Sequence, residues 1–312
     1  MHFMRRRAPS LTTGRSNQSV RRVGCGLVIA VLACLMAACS PRLMLVNSIA
    51  DELARQGGSP EDDLLLARDA GAFYLKLSEA LLLQTPGNLA LAEAVSGGFT
   101  QYAYAFVAFE ADKTEARDAK AALKMRERAA RLYRRANGHA MASLEGQIPG
   151  FARALASPDP SAWPRLEQKQ IALAYWAAAS WGGQIALSKD NPDVVADLPL
   201  AMRLATLAWR VEPDHADGAL SSLMGSFEAA RPGGSAARAA SYFDRAISRG
   251  AGKIAGPYLA KAEALAQPAG DRDAFETLLR KALAASTGQP DLQNAVMQER
   301  ARWLLDNVDD LF

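Results

Sequence analysis

Cysteine is almost missing from this sequence. The chain has three, Cys25, Cys34 and Cys39, all within the first 39 of its 312 residues. Beyond Cys39 no thiol remains to form a disulfide, bind a metal or act as a nucleophile. Histidine is as scarce. After His2 there are only His139 and His215, far apart and without a second histidine at ligand spacing, so no metal site is expected. There is no G-x-S-x-G, H-E-x-x-H, P-loop or dinucleotide fingerprint. Neighbouring acids such as Glu110 with Asp112, or Asp309-Asp310, read as surface carboxylates near helix ends rather than an acid–base pair. No catalytic residue and no cofactor is therefore expected, and enzyme activity has no support. Aromatics make up only 7% of a chain that is 50% hydrophobic, with alanine abundant. That composition excludes disorder and favours close-packed helices over a β sandwich.

The formal charge of +3 is misleading. Residues 1–38 carry six arginines (Arg5, Arg6, Arg7, Arg15, Arg21, Arg22) and no acid. Without them 30 basic residues face 33 acidic ones, a net charge of −3. A slightly acidic body is a poor general binder of nucleic acid.

Those first residues read as a targeting segment. The arginines form a positive head, and Gly24 to Met36 form an apolar run too short for a comfortable membrane span. The run ends in Leu35-Met36-Ala37-Ala38-Cys39, which resembles the lipobox of bacterial lipoproteins. In that motif small neighbours admit the peptidase and the cysteine sulfur takes the lipid. Residues 1–38 are thus read as a lipoprotein signal peptide, Cys39 as the lipidation site and 39–60 as a tether. An ordinary signal peptide cleaved near Ala38, or a short anchor, is the competing reading. Ser40 follows the cysteine where an aspartate would retain the protein at the inner membrane, which favours the periplasmic face of the outer membrane.

The rest, 61–312, is expected to form a single all-α domain, with an N-terminal half (61–147), a proline-rich connection (148–164) and a C-terminal half (165–312). A pattern recurs between Leu204 and Leu283. Taking Ala208, Ala246 and Ala282 as equivalent, the spacings are 38 and 36 residues. This is close to the period of tetratricopeptide (TPR) repeats, about 34 residues. Alanine suits the point where two helices cross closely, Phe243 fills the space beside it, and Pro213-Asp214 stops one helix and offers a cap for the next. The expected architecture is stacked antiparallel helical hairpins forming a TPR-like superhelix.

Along the chain, Asp62 to Gln84 shows apolar residues at helical spacing (Leu65, Phe73, Leu77, Leu81), facing a core. Thr85-Pro86-Gly87-Asn88 is a turn. The next helix carries the stripe Leu91, Val95, Phe99, Tyr102, Phe106 and Phe109, interrupted by Gly97-Gly98. The glycine pair implies a break there or a close approach by a neighbour. A helix from Glu115 to about Glu145 turns Ala122, Met125, Ala129, Leu132, Ala136 and Ala140 inward. Its other side shows Lys124, Arg128, Arg131 and Arg135, either a solvated face or a basic stripe meeting an acidic partner or lipid headgroups. Pro164 is placed to start the following helix. Ile171 to Leu187 is apolar on nearly every side, as in a helix buried by others. Tyr102, Tyr104, Trp176 and Trp181, on the two central helices, are candidates for an aromatic-lined groove; the alternative for each is core packing. The apolar C-terminus, ending at Phe312, is expected to be docked.

Several stretches together resemble a known family. They are Leu75-Lys76-Leu77 to Leu83 before the Thr-Pro-Gly-Asn turn, Tyr102-Ala103-Tyr104-Ala105-Phe106, and Arg128-Ala129-Ala130-Arg131-Leu132-Tyr133. Further along come Ala174-Tyr175-Trp176 with Trp181, Ser188-Lys189-Asp190-Asn191-Pro192, and Gln298-Glu299-Arg300-Ala301-Arg302-Trp303-Leu304-Leu305. Their order, over about Leu64 to Phe312, resembles the T-component lipoproteins of tripartite ATP-independent periplasmic (TRAP) transporters. The resemblance implies cryptic TPR-like hairpins, association with a periplasmic solute-binding subunit, and a homo-oligomer, such as a trimer, with channels. It carries over no catalytic or ligand residues. A generic TPR-like scaffold lipoprotein of the cell envelope remains the alternative on composition and repeat spacing.

Overall fold

Asp63 opens the first long helix by accepting at 3.0 Å from the backbone N–H groups of both Leu65 and Leu66. In the computed structural model this helix, α1, spans Leu64–Leu82. The structure describes residues 48–55 and 61–312; the signal segment, Cys39 and most of the tether lie outside them. Ala50–Phe312 form one body, and among the described residues there is no strand.

The chain enters this body through a short helical stretch, 50–55. Ala50 is fully buried there, and the Leu53 carbonyl accepts a hydrogen bond from the Tyr74 hydroxyl of α1. Next comes α2, Leu89–Ala103, capped by Asn88, whose Oδ1 accepts from Leu91 N–H at 2.9 Å. It runs on through a π-helical segment, Tyr104–Ala108, into α3, Phe109–Glu115. A break at Ala116 to Asp118 precedes the longest helix, α4, Ala119–Gln147. Asp118 caps it by accepting from Ala121 N–H at 2.9 Å. Ala122, Ala129, Ala136 and Ala140 of α4 are fully buried, as their spacing predicts.

The outward side of α1 is not the one its first apolar stripe suggests. Leu65, Phe73 and Leu77 are 65%, 74% and 45% exposed, while Leu75, Ser78, Glu79 and Leu82 are buried. α1 packs mainly against α2, with smaller contacts to the entering stretch and to the last long helix, Leu292–Asp306. Leu75 fits where Gly98 leaves room, its Cδ2 lying 2.5 Å from where a Cβ on Gly98 would stand. That notch selects the Leu75–Leu82 side and turns the other stripe to solvent.

The segment 148–164 is more structured than a connection. Phe151 and Leu155 of α5 (Phe151–Ala156) are buried in the main core. Pro164 does not start the next helix. A 3-10 turn, Gln168–Gln170, does so, with the Gln170 side chain accepting from Glu167 N–H at 2.7 Å. The following α6, Ile171–Ala186, is the centre of the body and packs against α2 and α4. It also packs against α8 (Leu198–Val211) and α9 (His215–Ala230), beyond the short α7, Pro192–Val195. The all-round apolarity of its sequence is explained by these neighbours.

Beyond it, α10 (Ala236–Gly250) pairs with α9, and α11 (Gly256–Lys261) continues through a second π segment, Ala262–Ala266. α12 (Arg272–Ala284) and α13 (Leu292–Asp306) close the chain. Ala208, Ala246 and Ala282 are all fully buried. Gly218, at φ 95°, approaches α10 so closely that a Cβ there would lie 2.9 Å from Ala246 Cα. Asp214 does not cap α9 with its side chain. It accepts instead from Arg245 Nε at 2.9 Å, tying α10 to the turn. Phe312 is 43% exposed, with its ring centroid 5.3 Å from that of Phe275.

Candidate functional site

The two π segments among the described residues meet at one side chain. A π turn inserts one extra residue and rotates the helix beyond it, a device often found at functional positions. In α2 it explains why the stripe read from sequence drifts. Beyond Phe99 the buried positions become Ala103, Ala105, Val107 and Phe109, leaving Tyr102, Tyr104 and Phe106 half-buried. The second π segment presents Glu263.

Arg300, from α13, lies between them. Its Nη2 donates to Glu263 Oε1 at 2.7 Å and its Nη1 to Asp112 Oδ2 at 2.9 Å. Its guanidinium lies 5.7 Å from the Tyr104 ring centroid and 5.2 Å from that of Phe109. Arg126 of α4 also pairs with Asp112 at 3.2 Å and with Glu115. Burial opposes the charge on Arg300, but Tyr104, Glu263 and Asp112 hold it firmly protonated. Burial likewise pushes the hydroxyls of Tyr104 and Tyr133 well above the ordinary tyrosine range. Neither hydroxyl has a hydrogen-bond partner among the described residues, so both remain available as neutral donors beside a fixed cation.

The four aromatic candidates divide between separate surroundings. Tyr102 and Tyr104 pack against the cluster of Ala103, Val107, Ala129 and Tyr133, and Tyr102 also lies edge-on to Phe106 at 5.3 Å. Trp176 sits against Gly97, where a Cβ would come within 2.7 Å of its ring, and edge-on to Tyr175 at 4.7 Å. Trp181 donates from Nε1 to Asp197 Oδ2 at 3.3 Å. Gly97 and Gly98 therefore answer to close approaches, not to a break. All four rings are half-buried; Tyr102 and Tyr104 share the small Tyr133 cluster, while Tyr102 and Trp181 both border the large main core.

Sequence reasoning missed Arg300, Glu263 and Tyr133. Gln298 to Leu305 stood out as a stretch, but nothing local told its buried arginine from its exposed one. A second polar centre went unread as well. Glu79, nearly buried, accepts from Lys76 at 2.5 Å, contacts His139 Nε2 at 2.7 Å and forms a two-pronged pair with Arg135. Burial pushes its carboxyl upward, but the Arg135, Lys76 and His139 bonds outweigh that and bring it down to about 2. Among the described residues no group of three or more His, Cys, Asp or Glu could hold a metal. Nor is any helix there long and apolar enough to cross a membrane.

Residues 60–312, which take in nearly all of this body and both polar centres, match the family model described as TRAP transporter T-component. The chain belongs to that family. A protein of Treponema pallidum (strain Nichols), described as "Uncharacterized protein", is 30% identical over 265 residues, which is 81% of this chain and 81% of that one. As a T-component the chain is an accessory part of a TRAP transporter, associated with the transporter and with the cell envelope. The family is not known for catalysis.

Proposed function

We propose that this T-component is a lipid-anchored periplasmic subunit that binds the solute-binding subunit of its transporter and holds or passes on its ligand without transforming it. The observation that carries this reading is the family match over 60–312 of an all-helical body. Cys39 at the end of the apolar run is the proposed anchor, with the periplasmic face of the outer membrane as its place. The TPR-like reading draws support from the buried Ala208, Ala246 and Ala282 and from the tight Gly218–Ala246 crossing. Stacked hairpins of that kind form extended surfaces suited to a protein partner, and a homo-oligomer such as a trimer is part of the same proposal.

Of the proposed groove residues Tyr102, Tyr104, Trp176 and Trp181, Tyr104 has the best chemical setting, because it shares the Arg300 cation with Tyr133. A carbonyl or carboxylate of a solute could accept from those hydroxyls. The test is titration of the mature protein with the solute-binding subunit encoded beside it. Saturable binding, weakened by Tyr104→Phe or Trp181→Ala with an unchanged helical spectrum, is expected. No complex at tens of micromolar, together with co-purification of envelope-assembly proteins, would favour a scaffold instead.

A further inference from the structure

The outward faces of α1 and α4 remain exposed in the body. Of the ten exposed large hydrophobic side chains among the described residues, six belong to these two helices: Leu65, Leu66, Phe73, Leu77 and Leu83 on α1 or at its end, and Leu123 on α4. On α1, Leu66, Ala70, Phe73, Leu77 and Ala80 follow at steps of 4, 3, 4 and 3, all exposed, so they form one continuous stripe. On α4, Lys120, Lys124, Arg128, Arg131 and Arg134 lie on the outward side, with Glu127 the one acid among them. None of these five cations is ion-paired among the described residues. In a body whose acids outnumber its bases, five unpaired cations on one helix face call for a counter-charge from outside.

The two stripes are the sides that α1 and α4 turn away from α2, on which both helices pack. Both helices flank α2, where Leu75 of α1 meets Gly98, and Phe99 lies beneath the Arg135 guanidinium at 5.1 Å. The Arg135–Glu79 pair bridges α4 to α1 directly. Arg131 and Arg128 lie toward the N-terminus of α4 from Arg135 on its exposed side, and Phe73 lies on the exposed side of α1, away from the buried Glu79. The chain, moreover, enters the body at the flank of α1, through Ala50 and the Tyr74–Leu53 bond. Ten residues lie between Cys39 and Ala50, eleven steps along the chain. Fully extended, they reach no more than about 40 Å.

We propose that this side of the molecule docks on an anionic phospholipid surface, with Leu66, Phe73 and Leu77 at the acyl boundary and Lys124, Arg128 and Arg131 on lipid phosphates. The pairing of apolar side chains with neighbouring cations is what an interfacial element requires. A second copy of the chain could cover the α1 stripe, because its spacing also suits a helix seam. It would, however, bring a second set of five cations toward the first and neutralise neither. An anionic bilayer satisfies both stripes together. The proposal rests on Cys39 as the anchor, which is what holds this flank near the membrane.

The test uses the acylated, mature protein reconstituted in phosphatidylglycerol-containing vesicles and, separately, in phosphatidylcholine vesicles. Palmitate incorporation is checked first and reports on Cys39 alone. With Cys39 acylated, a single cysteine at Phe73→Cys or Ser248→Cys takes a fluorophore uniquely, and nitroxide lipids report its contact with the bilayer. Strong quenching at position 73 but not at 248, in anionic vesicles only, is the expected result. Each cation near an anionic surface is worth about fivefold in partitioning, so Arg128→Glu with Arg131→Glu should abolish most of that quenching. Both sites are exposed, and an unchanged helical spectrum verifies the fold. Equal quenching at 73 and 248 would mean a body swinging freely on its tether and would overturn the proposal. So would efficient cross-linking of Phe73→Cys between copies without quenching, which would assign the stripe to a second copy.

Discussion

Arg300 and Asp112, 188 residues apart in sequence, are joined by a 2.9 Å ion pair in which the arginine side chain is only 14% exposed. The same guanidinium holds Glu263, so α13 is pinned at once to the first half of the chain and to its own neighbour α11. Trp303, one turn further on, adds an edge-on contact with Phe109 at 5.7 Å. The end of the chain is thus part of what keeps the region around α3 in place.

Removing this arginine should be costly. Arg300→Ala takes the cation from partly buried Glu263 and leaves Asp112 to Arg126 alone, and breaking a buried pair typically costs about 3–5 kcal/mol. Arg302→Ala, two residues on, removes a 58%-exposed partner of Glu299. An exposed pair of that kind is worth about 0–1 kcal/mol. Urea denaturation of the two variants should separate them clearly; equal midpoints would show that the Arg300 cluster holds nothing together.

Glu79 gives the fold an acid-sensitive point. Its carboxyl falls from 4.5 to about 2 in the folded protein. A folded-state value below the unfolded one stabilises fully above about pH 4.5, and the contribution is lost as pH falls through 4.5 toward 2. Stability should therefore decline over that window, by up to roughly 3 kcal/mol for this group. In Glu79→Gln the loss should already be present at neutral pH, and the acid limb should be correspondingly flatter. Thermal melts from pH 7 to pH 2.5 measure it, and parallel acid limbs in the two proteins would exclude the role.

The helical class, the buried alanines of α4 and the crossing at Ala246 were legible because each is a local pattern: a 3.6-residue period, or a small residue where helices approach. The polarity of α1 was not. Its buried side, Leu75, Ser78, Glu79 and Leu82, is half polar, and its burial depends on Gly98, Arg135 and His139, residues of other helices. Tyr104 could be singled out as an aromatic, but its partners Arg300, Tyr133 and Glu263 come from three distant segments. The π turns that bring two of these together carry no sequence signal of their own. Ala246, by contrast, supports a sharp expectation. Ala246→Glu should cost several kcal/mol as a buried unpaired charge, against about 1 for Ala246→Gly. Coincident melts of the two variants would refute the close crossing.

Acylation at Cys39 is tested by replacement. Cys39→Ala should abolish palmitate incorporation and leave the precursor unprocessed as a lipoprotein, while the body from Ala50 onward keeps its helical spectrum. Cleavage of the variant near Ala38 with release of protein would show an ordinary signal peptide, and undiminished labelling would show that another residue carries the lipid.

Glycines on the central helices offer a contrast between space and propensity. At Gly97 a Cβ would lie 2.7 Å from Trp176, and at Gly183 the same distance from the Tyr133 ring. At Gly138, inside α4, nothing lies within 4 Å. Alanine gains about 1 kcal/mol over glycine in a helix interior. Gly138→Ala should realise that gain and raise the melting temperature. In Gly97→Ala and Gly183→Ala the methyl group displaces a packed ring, and overpacking of this kind costs about 1–3 kcal/mol. The propensity gain is outweighed or at best cancelled, so both variants should melt at or below the parent. Gly183→Ala moves the Tyr133 ring, and Gly97→Ala moves Trp176, one of the proposed groove residues. Partner binding in each should therefore fall by more than its stability loss predicts. If Gly97→Ala and Gly183→Ala instead melt as high as Gly138→Ala, the rings have room to yield, and the tight seats assigned to Trp176 and Tyr133 are wrong.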